Sequence, residues 1–304
     1  MSDRLPLSVT VSGVKRLFGD DLSRLIDFAK RAEDAGVEQI AMTDHLVIGP
    51  RTDRYPFGRF PFPNDEPWPE PIVTLAAMAG ATRTIRLATA VLIAPLRSAP
   101  LLAKSLATLD ALSGGRVDLG VGIGWQAEEF AAAGIPFEAR GARMDDVLRA
   151  CRALWRDAPA SFHSPTVSFD DLWCIPRPLQ AGGLPIWFGV APTPRNVERI
   201  VELGAGWVPV GTDVGALASG VRVLRDAFTA ASRDPATLGV RANVPVALGA
   251  DGRVDLDRTL AEGIPLLRAA GATIAALPIA AFARDGRALD AFLDRLASRG
   301  RLAC

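Results

Sequence analysis

The chain has 304 residues, 49% of them hydrophobic, and its 34 basic and 34 acidic side chains cancel to a formal net charge of zero. That apolar content supports a sizeable core and argues against disorder, while the interspersed charge argues against a nucleic-acid or anionic-membrane partner. Three cysteines, Cys151, Cys174 and Cys304, lie far apart with no CxxC spacing; they fit a reducing compartment and exclude a disulfide framework or a zinc cluster, so no metal site is expected.

The opening residues MSDRLPLSVT lack the apolar core of a signal peptide, and the stretch 87–109 is broken by Pro95, Arg97, Pro100 and Lys104. Neither export nor membrane spanning is expected, and the expected location is cytoplasmic.

In chain order, LSVTVS (7–12) reads as a strand. Residues 21–35 carry Leu22, Leu25, Ile26, Ala29 and Ala32 at helical spacing and stop at Gly36. QIAMT (39–43) is a second strand. A helix starts near Pro71, IRLATAVLI (85–93) is a third strand, and 99–112 is a helix ending at SGG. RVDLGVGI (116–123) is a fourth strand, and apolar spacing from Met144 marks another helix. LPIWFGV (184–190), GWVPVG (206–211), VRANVPVAL (240–248) and TIAALPI (273–279) complete the strands.

These runs are continuously apolar, as expected where both sheet faces are buried. Eight of them alternating with helices predict one (β/α)8 TIM barrel spanning 1–304, with a doubly wound sheet as the competing arrangement. Two insertions depart from the minimal unit. One, 46–70, follows the second strand and is rich in proline, aromatics and arginine. The other, 157–183, precedes the fifth and contains a hairpin-like SFHSPTVSF. Loops after barrel strands surround the active face, so 55–68 reads as an ordered lid or substrate wall.

Four stretches could carry chemistry. Asp44 and His45 end the second strand; His45 is one of only two histidines and can exchange a proton near neutral pH, though a capping Asp and a structural His in a turn read equally well in isolation. GVGIGW (120–125) is GxGxG rather than a dinucleotide fingerprint; its glycines allow close approach of a ring, and Glu128 and Glu129 follow at a helix start. WFGVAPTPRN (187–196) leads into a helix whose amides, with Thr193 and Arg195 or Arg199, could hold a phosphate, although Pro192 and Pro194 lack N–H groups. Ala88, Thr89 and Ala90 could lie flat against a ring system or simply belong to the core.

Together TDHLVI (43–48), residues 85–146, LPIWFGV (184–190) and ELGAGWVP (202–209) resemble the bacterial luciferase-like monooxygenase superfamily, in its deazaflavin-dependent branch that uses coenzyme F420. The likeness runs through the first two-thirds of the chain; beyond about residue 212 only the fold carries it. It implies a barrel with the cofactor ring at the strand C-termini and Asp44 and His45 as the catalytic pair, Asp44 orienting His45 or anchoring the cofactor. It implies a non-proline cis peptide at Ala90–Val91 under the ring, with Gly122, Gly124 and Glu128 bordering it and Gly189, Val190, Ala191 and Thr193 at the phosphate. Tyr55, Phe57, Phe60 and Trp125 would face the substrate.

The implied activity is hydride transfer between deazaflavin C5 and a small, fairly apolar organic substrate. The alternatives are an FMN-dependent two-component monooxygenase of the same superfamily and a non-catalytic flavin-binding barrel. A separate reductase would supply reduced flavin or deazaflavin, and a homodimer is expected by analogy alone. Two departures stand out. Gly189-Val190 replaces the usual Gly-Gly pair, and Trp125 stands where sugar-phosphate dehydrogenases of the family carry a catalytic glutamate.

Overall fold

The apolar runs form the strands that their composition demands. In the computed structural model, which describes residues 4–302, β1 (Leu7–Val11) leads through α1 (Val14–Phe18) and α2 (Arg24–Asp34) to β2 (Gln39–Met42). The long insertion and α3 (Pro71–Ala81) precede β3 (Arg86–Thr89), β4 (Leu92–Ile93) and α4 (Ala99–Ser113). β5 (Val117–Gly122), α5 (Ala127–Ala132) and α6 (Arg140–Arg156) follow, then the hairpin β6 (Ala160–His163) and β7 (Ser168–Leu172). The last third adds β8 (Ile186–Phe188), α7 (Pro194–Leu203), β9 (Gly206–Trp207), α8 (Val214–Ala230), β10 (Gly239–Asn243), α9 (Leu256–Ala269), β11 (Ile274–Pro278), α10 (Ile279–Phe282) and α11 (Gly286–Leu302).

β1 pairs with β2 on one side and β11 on the other, and the ring continues β3–β5–β8–β9–β10, every pairing parallel. Contact between β3 and β5 closes it. The result is the eight-stranded TIM barrel that the alternation predicts. β2 and β5 are buried along their whole length, which explains why neither shows a polar face in sequence. The run 85–93 is not one strand. It breaks at Ala90–Val91, where the peptide is cis, and β4 resumes alongside β5.

The barrel floor is polar rather than purely apolar. Arg241 on β10 donates to the Ser8 and Thr10 hydroxyls and to Gln39 Oε1, and Gln39 Nε2 donates onward to Asp118, which Arg86 also engages. Burial pushes the Arg241 guanidinium down to about 10, against the pull of Asp118. Because every member has a partner, the network plugs that end of the barrel without an orphaned polar group.

The expected hairpin at 161–169 is present as β6 and β7, paired antiparallel. It carries the second histidine, His163, exposed and bonded to Ser168 Oγ and Asp170 Oδ1, far in character from a site residue. Cys151 and Cys174 are buried free thiols, burial pushing the Cys151 thiol up; Cys304 lies outside the described residues. Among the described residues no helix is long and apolar enough to cross a membrane, and no cluster of three or more His, Cys, Asp or Glu is placed to hold a metal.

Candidate active site

At the C-terminal ends of the strands the loops enclose a cavity of about 920 Å³. Its base comes from β2. Thr43, Asp44 and His45 leave the strand in succession, and the two neighbours Asp44 and His45 are held by entirely different partners.

Asp44 is wholly buried, and Arg97 grips it bidentately, Nη1 donating to Oδ2 at 2.5 Å and Nη2 to Oδ1 at 2.8 Å. Ile93 N also donates to Oδ2 at 2.8 Å. The pair thus pins the end of β2 to the turn after β4, and Arg97 reaches further to Glu70, the N-cap of α3. Asp44 therefore does not orient His45, contrary to the expectation from their adjacency: its lone pairs are already committed.

His45 is instead held by Glu129. Its Nδ1 lies 3.1 Å from Glu129 Oε2, and Leu46 N donates to Oε1 of the same carboxylate at 2.6 Å. Glu129 is completely buried and His45 nearly so, while among the described residues no partner reaches His45 Nε2. One turn earlier on the same face, Gln126 accepts from Gly49 N at 2.7 Å and donates to Gly49 O at 3.2 Å. The start of α5 thereby clasps residues 45–49, the root of the long insertion.

That insertion closes over His45 as an aromatic box. Trp68 meets the imidazole edge-on at 4.7 Å between centroids, with Trp125 at 5.8 Å and Phe60 at 6.2 Å. Tyr55 bridges Phe57, Phe60 and Trp125 at 5.2–5.4 Å, and burial raises its phenol. Trp68 Nε1 is buried and has no hydrogen-bond partner among the described residues. The four expected substrate-facing residues do line the cavity; Trp68, Phe62 and Arg54 join them.

Glycine builds another part of the lining. A Cβ on Gly122 would come within 2.6 Å of a Val91 methyl, and one on Gly189 within 2.5 Å of the other. Val91 therefore seats between β5 and β8 only because both positions lack side chains. Gly124 turns the chain with φ of +73°, against Phe130 and Ile93. Ala90, Val91, Gly122, Gly124, Gly189, Val190 and Ala191 all face the cavity.

Three expectations need correction. Glu128 does not line the cavity and packs on Gly49; Glu129, one residue on, is the acid that meets His45. Thr193 is exposed at the N-cap of α7 with no side-chain cap bond and lies outside the lining, where Asn196 appears instead. Arg195 and Arg199 lie outside the lining; Asp145 pairs closely with buried Arg199, which also donates to Asn196 and Gly141 O, while exposed Arg195 meets the same carboxylate only at 3.3 Å. The lining carries two guanidiniums, Arg54 and Arg140; Arg140 donates to Gly124 O and Phe137 O and stacks 3.8 Å over the Phe137 ring. Burial pushes its guanidinium down, with Glu138 opposing.

Comparison with known proteins gives a match between residues 6–297 and a family model described as luciferase-like monooxygenase. An uncharacterized protein of Mycobacterium tuberculosis is 36% identical over 215 residues, covering 68% of this chain and 74% of that protein. The F420-dependent hydroxymycolic acid dehydrogenase of the same species is 30% identical over 237 residues, 75% of this chain and 60% of that protein. The crystal structure of a long-chain alkane monooxygenase superposes with a TM-score of 0.77 over 100% of this chain and 92% of that one. At 14% identity it is a likeness of fold.

Proposed function

The chain belongs to the luciferase-like monooxygenase family, and we propose that it works there as a coenzyme F420-dependent oxidoreductase. Its reaction moves a hydride between C5 of the deazaflavin and a small, fairly apolar organic substrate. The observation that carries this reading is a single cavity lined both by the His45 imidazole, its Nε2 free, and by a wall of small residues at Ala90, Val91, Gly122 and Gly189.

The residues present fit a flat tricyclic ring. Gly122 and Gly189 make room for the Val91 methyls, so this wall of the roughly 920 Å³ cavity carries only small side chains, at Ala90, Val91 and Ala191. Ala90, Val91, Gly122 and Gly124 would border the ring. Gly189, Val190 and Ala191 would approach the phosphate, with Asn196 and Arg140 as the nearest polar side chains and Thr193 and Glu128 at the periphery. Asp44 would act by fixing the end of β2.

When bound, the deazaflavin supplies a hydride acceptor or donor at C5. The aromatic box excludes water and selects apolar substrates. An alcohol–carbonyl pair suits this equipment: as the carbinol carbon gives up its hydride, the hydroxyl proton passes to His45 Nε2, and the reverse holds in reduction. The name of the hydroxymycolic acid dehydrogenase relative points to the same chemistry. Tyr55, Phe57, Phe60 and Trp125 would shape the substrate side. In the reductive direction a separate reductase would regenerate the cofactor, and the working assembly would be a homodimer.

The family's description also names monooxygenases, so an FMN-dependent two-component monooxygenase is the second reading. Absorbance titration separates the two: tight binding of F420 and weak binding of FMN is expected, and tight FMN binding with no response to F420 overturns the first reading.

A further inference from the structure

The neighbour in sequence that looks like the partner of His45 is not its partner, and the residue that is has a distinct consequence. Glu129 has both oxygens occupied: Oε1 by the Leu46 amide, which can only donate, and Oε2 by His45 Nδ1. A carboxylate can only accept. We infer that Glu129 is a positioning residue that fixes His45 as the Nδ1–H tautomer, so that Nε2 presents its lone pair to the cavity.

The geometry makes this a device rather than a contact. The carboxylate is wholly buried and no Lys or Arg among the described residues is paired with it, so the imidazole is the only group able to balance its charge. As the substrate hydroxyl loses its proton, that proton bonds to Nε2, Nδ1–H stays in place, and the resulting imidazolium faces an existing anion. The orienting carboxylate of a Ser-His-Asp triad uses the same logic. The Leu46 amide keeps the carboxylate from rotating, and the Gln126–Gly49 clasp fixes the loop on which His45 sits. Glu129 thus acts through His45 and touches no substrate itself.

The inference rests on His45 being the proton-handling group, but the tautomer can be read without cofactor or substrate. With only two histidines in the chain, nitrogen-15 spectra of the His163→Asn protein isolate the His45 ring. The expected result above neutral pH is a protonated Nδ1 and an unprotonated Nε2. Glu129→Gln keeps an acceptor for Leu46 N but turns an NH2 group toward Nδ1, so it should invert the tautomer with little change in melting temperature. Turnover should fall about 10²–10⁴-fold, the scale of a lost general base, with KM little altered. An unprotonated Nδ1 in the parent, imidazolium above neutral pH, or an unchanged tautomer in Glu129→Gln overturns the inference. An inverted tautomer with full activity shows instead that His45 does not handle the proton.

Discussion

Arg97 holds Asp44 through a bidentate pair of hydrogen bonds of 2.5 and 2.8 Å, in a place where the carboxylate has no exposure at all. The pair joins the end of β2, next to His45, to the turn after β4, the strand that follows Val91. Asp44 therefore shapes the site by setting where its neighbours stand, and the charge is neutralised before any ligand arrives.

Breaking that pair should be expensive. Removing one partner from a buried ion pair leaves an uncompensated charge, a loss of about 3–5 kcal/mol. Arg97→Met should lower the urea midpoint by that equivalent. Asp44→Asn should lose somewhat less, because the amide oxygen still accepts from Ile93 N and Glu70 remains 3.4 Å from Arg97. Two variants as stable as the parent would show that the pair is structurally idle.

His45 bears on turnover rather than on folding. His45→Ala should retain cofactor binding within a few-fold and lose about 10²–10⁴-fold in kcat. The check is steady-state kinetics beside a binding titration on the same preparation. Equal losses in both would place His45 in cofactor binding.

The glycine-built wall makes a prediction about pairs of substitutions. Gly122→Ala puts a methyl 2.6 Å from Val91, and overpacking of this kind costs about 1–3 kcal/mol. Adding Val91→Ala removes the colliding methyls, so the double variant should recover stability that the single variant lost, a non-additive result read by thermal melting. Strict additivity would mean that Val91 moves aside freely.

Acid stability has a local source in Glu33 on α2. It accepts from Ile85 N at 2.8 Å, Thr84 N at 2.6 Å and Arg83 N at 2.9 Å. Burial works to raise its carboxyl, but these hydrogen bonds prevail and hold it at about 2, below the ordinary 4.5. Because the folded value is depressed, the contribution is complete above about 4.5 and is lost as pH falls toward 2. The stability gap between parent and Glu33→Gln should be widest above 4.5 and close over that window. A gap that ignores pH would assign the effect to packing.

Much of the barrel was legible because its strands are buried on both faces and therefore read as unbroken apolar runs. The break at Ala90–Val91 is not visible in that pattern, since the same residues also make a good strand; only the family resemblance implies it. Asp44 and His45 show a different limit. Adjacent residues at a strand end diverge, and their partners lie 53 and 84 positions away, beyond the reach of spacing arguments. Glu129 carried a usable signal all the same. It stands beside Phe130, fully buried, and three residues from Gln126, so helical phase marks it as the inward acid and Glu128 as the outward one. The role of Arg140 had no comparable signal, because its partners are backbone carbonyls.

Hydride exchange with F420 can be followed by anaerobic turnover. The protein is mixed with oxidised F420 and a panel of apolar secondary alcohols, and with reduced F420 and the matching ketones, while the deazaflavin absorbance is followed. The absorbance should change with at least one pair, in step with product, and far more slowly in His45→Ala. No change with any pair, alongside oxygen-consuming turnover when reduced FMN is supplied, would contradict it.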